Sequence, residues 1–448
     1  MTDAPKRMIL SAFTMNCVSH IQQGLWVRDD TRQAEYTSLD PWIELAKVAE
    51  AGCFDAVFFA DVVGVYDTYA GSGDTAIRTG MQTPVNDPML LIPAMAAATE
   101  HIGFAFTSSI YQAHPFIFAR QLSTLDHITR GRIGWNIVTG YLRNAALSLG
   151  LGELPAHDER YDRAEEYLDV VYKLWEGSWE EDAVRADRRL GVYADPTKVH
   201  PIDHHGEYYD VAGPHLSEPS PQRTPVLFQA GSSDRGRDFA ARHAEATFIV
   251  ASHAQQIVPD LRKRAAEAGR HPDDLKVIAG ISPIVGGTEA EAKAMEREYL
   301  EDLSVEAGLA HLAGSLQVDL AAIDPDRPLE TIEAEGVQGF VKHLLDSAPP
   351  GARTFGDLVR GNMAGKFLVG SAEQIADRLT RWTEQGVDGF NVVVSILPGT
   401  IVDFAEGVVP ILQERGLVQT EYEPGPLRQK LTGRPRLGDD HPAAQYRR

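Results

Sequence analysis

The stretch TPVLFQAGSSDRGRDFAA, Thr224 to Ala241, decides the architecture. Val226, Leu227 and Phe228 form an apolar run between Pro225 and Gly231, which suits a strand covered on both faces. Ala230 and Gly231 leave the backbone open to close approach by a ligand. Ser232 and Ser233 are good N-cap residues, and Arg237 to Ala241 begins a helical pattern. A helix N-terminus offers unpaired N–H groups and a partial positive charge. Strand, small-residue turn and helix together therefore read as a phosphate cradle at Ala230, Gly231, Ser232 and Ser233. The same residues also read as an ordinary serine-capped turn.

Outward from this stretch, strands alternate with helices. Apolar runs predict strands at Met8–Phe13, Ala56–Ala60, Ile102–Thr107 and Ile133–Val138 upstream, and at Ala246–Ala251, Lys276–Val285 and Gly389–Val394 downstream. Helices are predicted between them. Asp40-Pro41 and Asp87-Pro88 start two, and Pro115 to Ile128 is another. Asp158 is read as the cap of a helix from Arg160 to Trp175, and Ser371 with Gln374 as a capping box. Such alternation means a parallel sheet, and about eight units over 448 residues favour a closed (β/α)8 TIM-type barrel with insertions. The barrel is assigned to residues 1–420. One polar insertion spans 177–221, with a small hairpin around Gly206. A second segment, 288–366, mixes Gly, Pro and charge around a helix at Ala292–Tyr299 and reads as a lid or binding segment. The Pro-rich tail, 421–448, reads as an arm on a neighbouring molecule or a disordered end.

Composition narrows the chemistry. Hydrophobic residues make up 43% and charged residues 24%, ordinary for a globular protein. A net charge of −22 argues against nucleic acid or an anionic membrane as partner. Cys17 and Cys53 are the two cysteines, too few for a disulfide framework, so a reducing cytoplasm is expected. No signal-peptide core and no membrane-length apolar run is read. GxSxG, HExxH and P-loop motifs are absent, and the GxGxxA at Gly71–Ala76 does not sit between a buried strand and a helix. His200, Asp203, His204 and His205 lie in the polar insertion and read as solvated rather than metal-binding, so no metal is assigned.

Active sites of such barrels sit at strand C-termini. Asp61, Thr107, Asn136, Thr139, Gly231, Ser232 and Asn391 all fall there. His20 follows the first strand, and Cys17 has no Lys or Arg close in sequence to lower its pKa, so it reads equally as a small apolar residue. His311, in LAHLAG, reads as core or as pointing from the lid into the site.

Long blocks of the chain carry a resemblance: AFTMNCVSHIQQGLW, FFADVVGVYDTY, PVNDPMLLI, STLDHITRGRIGWNIVTG, HDERYDRAEEYLDVVYKLWEGSW and DGFNVVV. Together they resemble the flavin-dependent monooxygenases of the bacterial-luciferase superfamily, in the nitrilotriacetate and dibenzothiophene-sulfone branch. Within it the chain looks most like the dimethyl sulfide and long-chain alkane monooxygenases. The resemblance covers about Met8 to Ala443. It implies a barrel that binds FMN without a covalent link, as FMNH2 supplied by a separate NAD(P)H:flavin reductase. It also implies insertion of one oxygen atom from O2 into a small organic substrate, and a homodimer or homotetramer.

By matching position, Asp61, Thr107 and Asn136 would lie by the flavin ring, and Thr139 and Gly140 would touch the flavin. His157 and Tyr161 would reach the ribityl-phosphate arm, and Ala230 to Ser233 the phosphate. His20 and His311 match histidines suspected of acting near the oxygen-binding face. Cys17, Tyr66 and Gln82 match pocket residues of the alkane enzyme. Tyr141 stands where the alkane enzyme has His, and the run Asn144 to Leu147 is nearer the dimethyl sulfide pattern. The resemblance therefore tilts towards a small organosulfur substrate, with an alkane or other xenobiotic as the alternative. A flavin-binding protein without catalysis is the reading from another class.

Overall fold

A computed structural model describes residues 7–329 and 352–448. Nine parallel strands follow in chain order: β1 (Ile9–Met15), β2 (Ala56–Ala60), β3 (Gly103–Ser109), β4 (Ile133–Val138), β5 (Val226–Gln229), β6 (Ala246–Val250), β7 (Lys276–Gly286), β8 (Phe367–Ser371) and β9 (Gly389–Val393). Eight of them close a ring, because β6 pairs with β7, β7 with β9 and β9 with β1. The ninth, β8, pairs with the outer half of the long β7, placing Phe367 opposite Ser282. Helices flank the ring, as a parallel sheet requires.

The interior is aromatic. Phe58 meets Phe13, Phe228 and Phe248 edge-on at centroid distances of 5.4, 5.3 and 5.0 Å. Burying each such ring contributes roughly 1.5–3 kcal/mol. Gly134 makes the space: a Cβ there would stand 2.6 Å from the Phe228 ring. Large and small side chains thus alternate across the barrel.

Four expectations are corrected. The tail does not run free but packs on its own barrel. Leu427 and Leu431, on the helix Leu427–Thr432, join the interior cluster with Phe58 and Phe228 and close the N-terminal mouth. Arg428 beside them is 1% exposed, donates to Glu245 at 2.7 Å and to the Thr224 and Pro225 carbonyls at 2.8 and 2.9 Å. Segment 288–366 holds more regular structure than the one helix read at Ala292–Tyr299. Helices Glu289–Asp302, Val305–Leu316 and Phe355–Ala364 share an apolar cluster around Tyr299, Leu309, Phe355 and Met363; the rest of the segment, 330–351, lies outside the described residues. Asp158 is not a cap: the helix His157–Tyr172 starts one residue earlier, and the Asp158 carboxylate is held by His157 Nδ1 at 2.8 Å. Finally, His204 is buried rather than solvated, with Nε2 3.2 Å from the Glu166 carboxylate.

Candidate active site

The C-terminal rim gathers three groups of polar residues. The first lies across β2, β3 and β4. Thr107 donates to the Phe59 carbonyl at 3.0 Å, so its hydroxyl oxygen is left to accept from Asn136 Nδ2 at 2.9 Å. That fixes the Asn136 amide and leaves its Oδ1 buried without a hydrogen-bond partner. An orphaned buried acceptor costs about 1–3 kcal/mol, so it marks a place where a ligand donor fits. Asp61 follows β2 directly and accepts from Gln112 Nε2 at 3.3 Å. Burial, above all, raises its pKa to about 7, against the pull of Gln112. Asp61, Thr139, Gly140, Tyr141 and Leu142 line one cleft. Gly140 takes φ +69°, a turn that suits glycine.

The second group surrounds His20, in the loop after β1. Gln82 Nε2 donates to the His20 carbonyl at 3.0 Å, while Gln82 Oε1 accepts from the Tyr66 hydroxyl at 3.2 Å. Tyr66 in turn shares a short hydrogen bond with Tyr141, which ties this group to the cleft. The His311 ring stands edge-on to Tyr66, 5.3 Å between centroids. Burial lowers the His20 pKa to about 3 and that of His311 to about 4, so both imidazoles are neutral at physiological pH. His20 Nδ1 is buried with no partner. Cys17 is buried beside this group; burial raises its thiol pKa, which keeps it from acting as a thiolate.

The third group is the turn after β5. Ser233 caps the helix Asp234–His243, its Oγ accepting from Gly236 N at 3.1 Å. His157 Nε2 lies 3.2 Å from the same hydroxyl. The Tyr161 ring lies tilted beside His157, 5.2 Å between centroids, and its hydroxyl leaves no room for a Cβ at Gly231, which would stand 2.7 Å away. Ala230 and Ser232 are exposed at the turn.

The residues matched by resemblance fall into these three groups, and Asp61, Thr139, Gly140 and Tyr141 line the cleft; Asn391, on β9, belongs to none of the three. Three more were missed. Gln112 orients Asp61. Arg160 bonds the Gly140 carbonyl across to the cleft. Lys366, at the turn before β8, lies near enough to lower the pKa of both His20 and His311. The residue is exposed overall, while desolvation of its ammonium lowers its own pKa. Only the third carries a local signal, a lysine close before a strand.

A closed parallel barrel with neutral histidines, a buried carboxyl and orphaned acceptors at its C-terminal rim is a barrel enzyme with its active site at that rim. Comparison with known proteins makes this specific: residues 15–389 match the family described as luciferase-like monooxygenase, and the chain belongs to that family. It is 47% identical over 451 residues to the dimethyl-sulfide monooxygenase of Hyphomicrobium sulfonivorans, covering 99% of this chain and 94% of that protein. It is 46% identical to the long-chain alkane monooxygenase of Geobacillus thermodenitrificans, covering 99% and 98%. A crystal structure of a riboflavin lyase with modified FMN and riboflavin superposes with a TM-score of 0.88 at 36% identity, covering 99% of this chain and 100% of that one. The protein is a monooxygenase. Among the described residues no helix is long and apolar enough to cross a membrane.

Proposed function

We propose that the protein is an FMNH2-dependent monooxygenase of a small organosulfur compound such as dimethyl sulfide. The observation that carries this reading is the orphaned Asn136 Oδ1, set between Asp61 and the capped helix of Ser233. A flavin fits that line: the ring edge has an N–H donor for Asn136, and the phosphate suits a helix N-terminus. Asn136, Asp61, Thr107, Thr139 and Gly140 hold the ring. His157, Tyr161, Ala230, Gly231, Ser232 and Ser233 hold the arm and phosphate. When bound and reduced, FMN supplies the electrons that activate O2, so that one oxygen atom reaches the substrate and the other leaves as water.

The chain's own residues do the rest. His20 and His311, kept neutral by burial, offer uncharged nitrogens as hydrogen-bond partners at the reacting face. Gln82 holds the His20 loop through its carbonyl. The Tyr66–Tyr141 pair closes one side of the pocket, which favours a small substrate, and Cys17 adds an apolar wall. Enclosure excludes water from the reaction. A separate flavin reductase supplies FMNH2 in the cytoplasm to a homodimer or homotetramer. An alkane is the second reading, favoured by the run of Leu142, Leu149, Leu151 and Leu154 along the cleft.

The test is oxygenation by purified protein with FMN, an NADH:FMN reductase and O2, offered dimethyl sulfide, a long alkane and an aromatic sulfone. Mass spectrometry is expected to find an oxygenated or C–S-cleaved product from dimethyl sulfide. A product only from the alkane supports the second reading, and hydrogen peroxide alone rejects all three substrates.

A further inference from the structure

Among the described residues no cation acts on the Asp61 carboxyl; Arg160, the cation bonded to the same cleft, is spent on the Gly140 carbonyl. The groups that face it are the Cys17 thiol from the loop after β1, Asp87 from the loop before the third barrel strand, Tyr111 and Gln112 after β3, and Tyr141 after β4. None of them carries a positive charge. Gln112 has no freedom in how it meets the carboxyl. Its Oε1 accepts from the Ser109 amide and from Ser108 Oγ at 2.9 Å, so Nε2 is the atom it presents to Asp61 Oδ2. Gln112 and the Val62 amide favour the carboxylate; burial and Asp87 oppose it and prevail, raising the pKa to about 7.

We infer that Asp61 serves the bound flavin as a neutral carboxylic acid, donating a hydrogen bond to an acceptor on the ring, and that Gln112 is the positioning residue that aims it. The inference rests on the flavin reading of the cleft. A carboxyl can donate only while protonated. The donor is therefore present at lower pH and lost as pH rises through the folded-state value.

Two measurements test it. In the flavin-free protein labelled with 13C-aspartate, the resonance missing from Asp61→Asn is expected to titrate near pH 7. Gln112→Met, which removes a bond favouring the charged form, moves that midpoint upward. FMN affinity is then followed by fluorescence across the same range. Wild-type affinity weakens about tenfold for each unit above the midpoint, because only the protonated fraction is competent. Asp61→Asn, whose amide donates at every pH, stays flat. A carboxyl that titrates in the ordinary aspartate range overturns the inference while FMN binding stands, as does an Asp61→Asn curve that tracks the wild type. No FMN binding by the wild type, with the resonance still titrating near pH 7, overturns the flavin reading and the donor role with it.

Discussion

The two ends of the barrel treat buried polar groups in opposite ways. At the N-terminal mouth Arg428 is spent on protein partners. Glu245 takes its Nε and Nη2, the Thr224 and Pro225 carbonyls take Nη2, and the second Glu245 oxygen also accepts from Leu227 N at 3.1 Å. At the C-terminal rim Asn136 Oδ1, Asn391 Oδ1 and His20 Nδ1 are buried without partners. Both ends remove polar atoms from water, but the Arg428–Glu245 network finds protein partners, whereas these three rim atoms do not. A closed network secures a fold, whereas orphaned acceptors held rigid at no visible gain mark a surface built for something else. The difference locates function at the rim and stability at the mouth.

That contrast can be broken by mutation, the mouth first. Glu245→Leu leaves Arg428 buried without its carboxylate and is expected to cost about 3–5 kcal/mol, read as a lowered denaturation midpoint, with FMN affinity unchanged in the folded protein. A loss under about 1 kcal/mol contradicts the role given to the pair. At the rim, His20→Ala is expected to lower coupled oxygenation by about 100-fold or more while FMN binding persists, and turnover equal to wild type sinks the catalytic role. Ser233→Ala removes a cap worth about 1 kcal/mol. It is expected to weaken FMN several-fold and leave riboflavin, which lacks the phosphate, unaffected; equal loss for both ligands removes the phosphate from this turn. The smallest effect is expected from Tyr141→Phe, which deletes the bond to Tyr66 and shifts relative kcat/KM by a few-fold towards bulkier substrates.

Legibility in the sequence followed the range of the interactions. Strands β2 and β4 were read with their observed bounds, because AVFFA and IGWNIV are apolar runs that any parallel sheet buries. The Ser233 cap and the Ser371–Gln374 capping box were equally legible, since their partners lie within one turn. The helix Val305–Leu316 was not. Gly308 and Gly314 inside it suggest a loop, yet they admit neighbours: a Cβ at Gly308 would meet Met363 at 2.7 Å, and one at Gly314 would strike the Tyr66 ring. The tail misled for the same reason. Its prolines and charges suit a free end, and the partner that buries Arg428 is Glu245, far away in the chain. Gln112 and Arg160 were missed because Asp61 and Gly140 give them meaning only once β2, β3 and β4 are side by side.

The most direct measurement is a crystal structure of the protein grown with FMN. The ring is expected against Asn136, Thr107 and Asp61, with the phosphate at the turn from Ala230 to Ser233. FMN bound elsewhere, or a flavin whose phosphate avoids that turn while Asn136 Oδ1 stays unpartnered, would contradict the assignment of the rim.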